Sequence, residues 1–447
     1  MYRGILLLLL SAVFMFHCSK VERYLSGQEQ DITVKKSEKP LMNITGAAFD
    51  SGKLIIFYNC LSDSGATEKN FLYQKSTNNG ISWSKPEKVF KNEIEINNPF
   101  VTKLFDESLM LVFNDISDSL QPYSSFYLVR SYDYGKTFTV PRMITLPEYK
   151  EVKITSGVVQ MGRSMLFLPI QAENNEGKKL SLLLFSQDKG RTWNKVLKMT
   201  PDTYQEKFLN PVLINLQEEI LYGLLEGENG YVYSTLSRDT GKTWTKPQCT
   251  NIYGKDVSLL LSDKGNLICC YEDHTPEGIS MMKSFDLGMT WESEIQCISG
   301  NNMVINPYLL SINKSNTAVF YSHRTLIPEK NQTKWQVHCK FIRIKSIEQP
   351  KALAVSSQRN GIRLRWNKVD NASYYIVYRS GSPDSLSGSE YRIAQIKGNN
   401  YIDKSVKNAE KYYYSVSAVE GYGKLISGTG NESDLSDPVF VEYNSSK

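Results

Sequence analysis

Residues able to bind polar ligands or move protons recur at the ends of short apolar runs. Asn59 and Asp63 follow one run, Asn114 and Asp115 a second, and Gln171 and Glu173 a third. Glu226 and Glu228, then Glu272, Asp273 and His274, then His323 and Arg324 follow three more. Two of Asp63, Glu173, Glu226 and Glu272 could form a general acid/base pair if the fold brings them together. Carboxylates outnumber basic groups in this set, so a pocket built from it is expected to be acidic and to repel anions. The plainer reading makes the same residues solvated loop ends.

The runs that would position them are strand-like: Leu54 to Tyr58, Leu109 to Phe113, Met165 to Leu168, Ile220 to Tyr222, Leu267 to Tyr271 and Ala318 to Tyr321. Continuous apolar runs bounded by turn residues read as strands buried on both faces. Asn98-Pro99-Phe100, Asn210-Pro211-Val212 and Asn306-Pro307-Tyr308 open further strands. Between them an eight-residue pattern occurs as Ser76 to Trp83, Ser131 to Phe138, Ser186 to Trp193, Ser237 to Trp244 and Ser284 to Trp291. The leading serines are 55, 55, 51 and 47 residues apart, and a period near fifty with several strands per unit indicates a β-propeller. Within the pattern Asn78, Asp133, Asp188, Asp239 and Asp286 supply an acceptor for turn amides. The following glycine tolerates positive φ. These five are therefore read as structural.

The pattern is identified as the Asp-box, or BNR repeat, of sialidase-type propellers, and the resemblance spans about residues 35–345. It implies an all-β fold with six blades over 31–346, the last completed by the N-terminal Ile32 to Val34. It also implies a site with three arginines around a carboxylate, a tyrosine nucleophile activated by glutamate, and an aspartate acid/base. This chain departs from that site. Leu41 to Gly46 stands where an Arg-Ile-Pro motif belongs, and Asn210-Pro211 replaces a Glu-Pro pair. No arginine lies between Arg238 and Arg324. Asp63 and Tyr308 fall near the acid/base and nucleophile positions, and Arg324 is the one arginine expected to reach the pocket.

From Pro350 onward, Ile362 to Trp366, Tyr374 to Arg379 and Tyr412 to Val419 are short strand-like segments with an early tryptophan. Residues 349–443 resemble a fibronectin type III β-sandwich. At the other end, Arg3 precedes an uncharged run from Gly4 to Phe16, which reads as an export signal over 1–18. Cys18 resembles the acylated cysteine of a bacterial lipobox, although His17 stands where a small residue is usual. Residues 19–30 read as a polar tether. The expected location is a membrane-anchored lipoprotein, periplasmic or on the cell surface.

Lysine and arginine number 52 against 47 acidic residues, a net charge of +5 without clustering, which argues against a nucleic-acid partner. No Cys or His spacing suggests a metal, and no cofactor is expected. The sequence does not choose a pairing among Cys60, Cys249, Cys269, Cys270, Cys297 and Cys339. A monomer that binds glycans or glycoproteins through a degenerate sialidase site is the leading expectation. Its ligand contacts would come from Asn59, Asp115, Glu173, Glu226, Glu272, His274, His323 and Arg324. An active exo-α-sialidase, another glycoside hydrolase using a carboxylate pair, and a scaffold with an inert pocket remain open.

Overall fold

The computed structural model describes residues 31–444. Excluded are 62–69, 91–95, 116–123, 202–205, 422–429 and the short gaps at 218, 263–264, 275–276, 285, 300–302, 314–315, 331, 344–346, 371 and 387–388. The chain divides into two compact units, one running to Arg343 and one comprising Ile344–Lys447 with Leu261–Leu267 and Ser284–Thr290. Among the described residues the regular structure is strand, with four short 3-10 turns and no α-helix.

The first unit is a series of antiparallel sheets. Leu41–Phe49, Lys53–Cys60, Asn70–Ser76 and Glu87–Lys88 form the first, and Ile96–Lys103, Leu109–Asp115, Ser125–Ser131 and Arg142–Thr145 the second. The third runs through Tyr149–Ile154, Met165–Asn174, Lys179–Ser186 and Lys195–Lys198, with Val159–Met161 beside it. Second strands carry the apolar runs, and Ile56, Phe57, Leu111, Val112, Phe113, Leu166 and Phe167 are fully buried. Facing sheets share these side chains, as in the cluster joining Phe57 and Phe71 to Leu111, Phe113 and Val129.

Two features of the series stand out. Six separate units were expected, yet the fourth and fifth are fused into one seven-stranded sheet. The 14-residue strand Gln248–Leu261 causes this, because its first half pairs with Tyr231–Ser237 while its second half continues into the next unit. The last sheet takes its outer strand from the start of the chain, as the family resemblance implied. Ile32–Ser37 pairs with Gln332–Arg343, setting Ile32 opposite Cys339 and Ser37 opposite Trp335. First and last sheets also share a core that includes Leu41, Ile56, Tyr58, Ile305, Phe320 and Phe341.

The eight-residue turns follow one plan. In the second, Ser131 Oγ donates to Asp133 Oδ1 at 2.8 Å and accepts from the Gly135 amide at 2.9 Å. Asp133 Oδ1 accepts the Thr137 amide at 2.9 Å, and Oδ2 the Thr137 hydroxyl at 2.6 Å. Asp188, Asp239 and Asp286 repeat these contacts. In the first turn Asn78 reverses one bond, its Nδ2 donating to Ser82 Oγ at 2.8 Å. Two successive residues are left-handed in each turn, for instance Tyr134 (φ 58°) and Gly135 (φ 72°), as a type I′ hairpin requires. Gly135 also presses on the first sheet, where a Cβ would lie 2.6 Å from Ile55 Cδ1.

The second unit holds a three-stranded sheet of Ala354–Gln358, Gly361–Arg365 and Asn400–Asp403 and a five-stranded one centred on Tyr374–Ser380 and Lys411–Gly421. Trp366 is buried and meets the Tyr375 ring edge-on at 5.4 Å. Asp403 is fully buried but well partnered, accepting the Tyr414 hydroxyl at 2.8 Å and pairing with Arg379 Nη1 at 2.8 Å.

Candidate functional site

Six inner strands of the first unit enclose a cavity of about 440 Å³. They contribute Asn43 to Ala48, Asn98 to Lys103, Lys153 to Val159, Asn210 to Leu213, Asp256 to Leu260 and Asn306 to Ser311. Five of these strands carry one left-handed Asn or Asp at the rim: Asn43, Asn98, Asn210, Asp256 and Asn306, with φ between 45° and 55°. Asn and Asp tolerate that conformation best among non-glycine residues. The register slips at four of the five, between Met42 and Thr45, Asn97 and Phe100, Leu209 and Val212, and Ile305 and Tyr308. Each slip is a bulge that turns the strand and aims the following side chains inward. The Asn-Pro pairs visible in the sequence are these bulges.

Strand ends expected to contact a ligand have another task as well. Asn59 Nδ2 donates to the Ile96 carbonyl at 2.8 Å, so the first sheet grips the inner strand of the second. Asn114 accepts from the Ile154 amide at 3.0 Å and donates to the Val152 carbonyl at 2.8 Å. Gln171 accepts the Asn210 amide at 3.2 Å, Glu226 the Asp256 amide at 2.7 Å, and Glu272 the Asn306 amide at 2.7 Å. Asn59, Asn114, Gln171, Glu226 and Glu272 thus occupy equivalent positions and each bonds the next inner strand. At Asn210, Asp256 and Asn306 the amide that the strand end accepts is that of the left-handed residue itself.

Two of these brackets are acids with shifted titration. Burial raises the pKa of Glu226, reinforced by the Asp256 charge and opposed by the Asn210 amide at 2.6 Å. Burial and Asp256 together push Glu272 up to about 7, against the Asn306 amide and Lys255, whose Nζ is 3.5 Å away. Glu272 therefore keeps its proton at mildly acid pH, where an ordinary carboxylate has lost it.

The remaining candidates separate clearly. Tyr308 lines the cavity, but its hydroxyl donates to the Gly46 carbonyl at 2.7 Å. Burial raises its pKa, the reverse of what an activated phenolate needs. Arg324 does not reach the cavity: its guanidinium lies over the Trp335 ring, 5.9 Å from the centroid. His323 neighbours His338, with ring centroids 5.6 Å apart, and burial lowers its pKa. Glu173 sits on a strand ladder opposite Lys179 and Glu151, away from the cavity lining. His274 is exposed and meets the Tyr253 ring edge at 5.0 Å. Asp63 and Cys18 lie outside the described residues, and Asp115 is described only as the end of Leu109–Asp115.

Sequence reasoning missed Lys103, Lys153 and Asp256, which line the cavity beside Glu226. Among the described lining residues two lysines balance two acids, where an acidic pocket was expected. The lysines lie on inner strands, whereas the strand-end pattern pointed only to second strands. No arginine is among the lining residues described. Among the described residues no three His, Cys, Asp or Glu side chains gather as a metal ion would require. Among the described residues Cys60, Cys249, Cys269, Cys270 and Cys339 form no disulfide.

The repeat architecture and the strand-lined cavity define a sialidase-like fold built on BNR repeats. Residues 91–277 match the family model described as a BNR repeat-like domain. No curated protein matches the chain. A Dyadobacter fermentans protein of unknown function superposes with a TM-score of 0.59 at 16% identity, covering 70% of this chain and 98% of its own. The leech intramolecular trans-sialidase does so with 0.55 at 11% identity, covering 71% and 70%. The α-L-arabinofuranosidase Arb93A of Fusarium graminearum gives 0.52 at 14% identity, covering 70% and 98%. At these identities the similarity is one of fold.

Proposed function

We propose that this chain is a glycan-binding protein whose central cavity takes an uncharged sugar. The carrying observation is the lining of that cavity: amides, hydroxyls, a buried tyrosine, two lysines and two acids, with no arginine among the residues described. A buried sugar carboxylate requires permanently charged, bidentate partners, and two lysines already engaged, Lys153 by Asn210 and Lys103 by Glu107, are a poor substitute. Lys153 Nζ donates to Asn210 Oδ1 at 3.0 Å and so belongs to the rim network. Hydroxyls and amides suit the donor and acceptor edge of a neutral sugar. The fold neighbours point the same general way, since one carries a name referring to sialic acid transfer and another to an uncharged arabinofuranoside.

The proposal places the cavity in a six-bladed Asp-box propeller. Six inner strands support it, as does the direct meeting of first and last sheets through Tyr308 and Gly46. The second unit is proposed to be a fibronectin type III domain, which its two sheets and buried Trp366 support. Export and acylation at Cys18 complete the reading and rest on the sequence of residues 1–18.

A glycan array probed with the purified chain tests the proposal, alongside hydrolysis of a fluorogenic α-sialoside. Binding to neutral glycans without sialoside turnover is expected. Selective binding or cleavage of sialosides would overturn it. A second reading, hydrolysis of a neutral glycoside, is favoured by one observation: Glu226 lines the cavity beside Asp256, and burial raises its pKa, as a general acid needs. Turnover of neutral aryl glycosides that disappears in Glu226→Gln would establish it.

A further inference from the structure

We propose that Tyr231, Tyr253 and His274 form an outer subsite that stacks a pyranose ring of a neutral oligosaccharide whose neighbouring unit occupies the cavity. The inference rests on the glycan-binding reading of that cavity. Tyr231 and Tyr253 lie opposite each other on paired strands, with ring centroids 4.9 Å apart and planes inclined by 49°. Tyr253 meets His274 at 5.0 Å and 64°. Three rings from three segments thus stand in a row.

Aromatic clusters of this kind are ordinarily core. Here Tyr231 is 40% exposed and Tyr253 39%, and His274 is exposed as well. Leaving ring faces in water forgoes burial, and a ligand that covers them recovers it. The backbone is shaped to keep the rings together. Gly230 is left-handed at φ 82°, and a Cβ there would lie 2.8 Å from the Tyr253 ring and 3.5 Å from His274. The Gly254 amide donates to the Gly230 carbonyl at 3.0 Å, fixing the two strands beneath the rings.

The surroundings select the ligand. An aliphatic peptide would call for an apolar border, but this border is charged and polar. Glu228, paired with Lys207 at 2.8 Å, and Asn229 directly precede the Gly230–Tyr231 turn, and Lys255 and Asp256 follow Tyr253 along its strand. A sugar ring matches both features, with a C–H face for the aromatic surface and a hydroxyl edge for the border. Asp256 lines the cavity and is three residues beyond Tyr253 on the same strand, roughly 10 Å along an extended chain. Linked pyranose rings span such a distance. Tyrosine holds its ring with few rotatable bonds, so little conformational freedom is lost on binding.

The test is titration calorimetry of the full chain with a ladder of neutral oligosaccharides, from monosaccharide upward, drawn from the glycans it binds. Tyr253→Ala and Tyr231→Ala are expected to weaken oligosaccharide binding about tenfold each, the scale of losing one aromatic contact face. Monosaccharide affinity stays the same, and Tyr253→Phe retains both. Thermal melting confirms that each variant is folded. Oligosaccharide affinity unchanged in Tyr253→Ala overturns the subsite and leaves the cavity reading standing. Wild-type chain that binds no neutral glycan overturns the cavity reading and the subsite together. Equal losses for monosaccharide and oligosaccharide would place the effect in the cavity and also overturn the subsite.

Discussion

The two ends of the first unit handle repetition in opposite ways. At the turn end, Asp133, Asp188, Asp239 and Asp286 make the same contacts with the same residue types. At the cavity end the backbone repeats, with left-handed residues at Asn43, Asn98, Asn210, Asp256 and Asn306, while the bracketing side chain changes from Asn to Gln to Glu. The turns need identical chemistry because each closes the same local loop. The brackets need only an acceptor or donor at one position, so their chemistry is free to vary around the cavity. Where a repeat protein keeps its backbone and varies its side chains, a ligand can be read against the pattern.

The two ends also titrate in opposite directions. Burial disfavours the Asp133 charge, but the Thr137 hydroxyl and amide, the Ser131 hydroxyl and the Lys136 amide outweigh it and hold the pKa at about 2. The Thr192 amide and hydroxyl do the same for Asp188. A carboxylate depressed in this way adds stability above its unfolded pKa of 3.8, lost as pH falls toward about 2. Glu272 is raised instead, so its contribution is full below 4.5 and fades as pH rises through about 7.

Several variants would break or sharpen this contrast. Gly135→Val should have the largest effect, about 3 kcal/mol, because it forces a branched residue to positive φ and drives a Cβ into Ile55. Urea unfolding measures it, and a loss below half that value would mean the turn does not brace the first sheet. Asp133→Ala should cost about 1 kcal/mol, since the hydrogen-bonded turn is partly open to water. Glu272→Gln keeps the acceptor for Asn306 and should flatten the fall in melting temperature between pH 4.5 and about 7. A slope identical to wild type would contradict the raised pKa. Asp133→Asn should be the mildest, within ~0.5 kcal/mol at neutral pH, because Asn78 shows the amide version working in the first turn. Its signature is a shallower loss of stability between pH 3.8 and about 2.

The turns were legible in the sequence because their bonds run between residues two to four apart, and spacing encodes them. The Asn-Pro pairs marked the inner strands but not the bulges in them, which are slips between paired strands. The brackets were not legible: Asn114 meets a backbone 40 residues away and Glu272 one 34 away. Such partners exist only once sheets stand side by side. The fusion of fourth and fifth units escaped notice because a 14-residue strand has no local signal beyond a missing turn. Arg324 lies inside the strand Asn316–Ile327 rather than at its end, and its direction toward Trp335 depends on the facing strand. Tyr231 and Tyr253 lie at the cavity end of their strands, at positions that no repeat pattern singles out.

The pairing of Ile32 with Cys339 also sets a clock. The strand that finishes the last sheet leaves the ribosome before its partner, which follows about 300 residues later. At ~5–20 residues per second the early strand waits roughly 15–60 s. Over that interval Ile32 and Val34, buried in the finished protein, face water on an open strand edge. Completion of the first unit is therefore a late event that joins the two ends of a long stretch of chain. Anything that holds the nascent N-terminal segment delays the whole unit rather than one sheet.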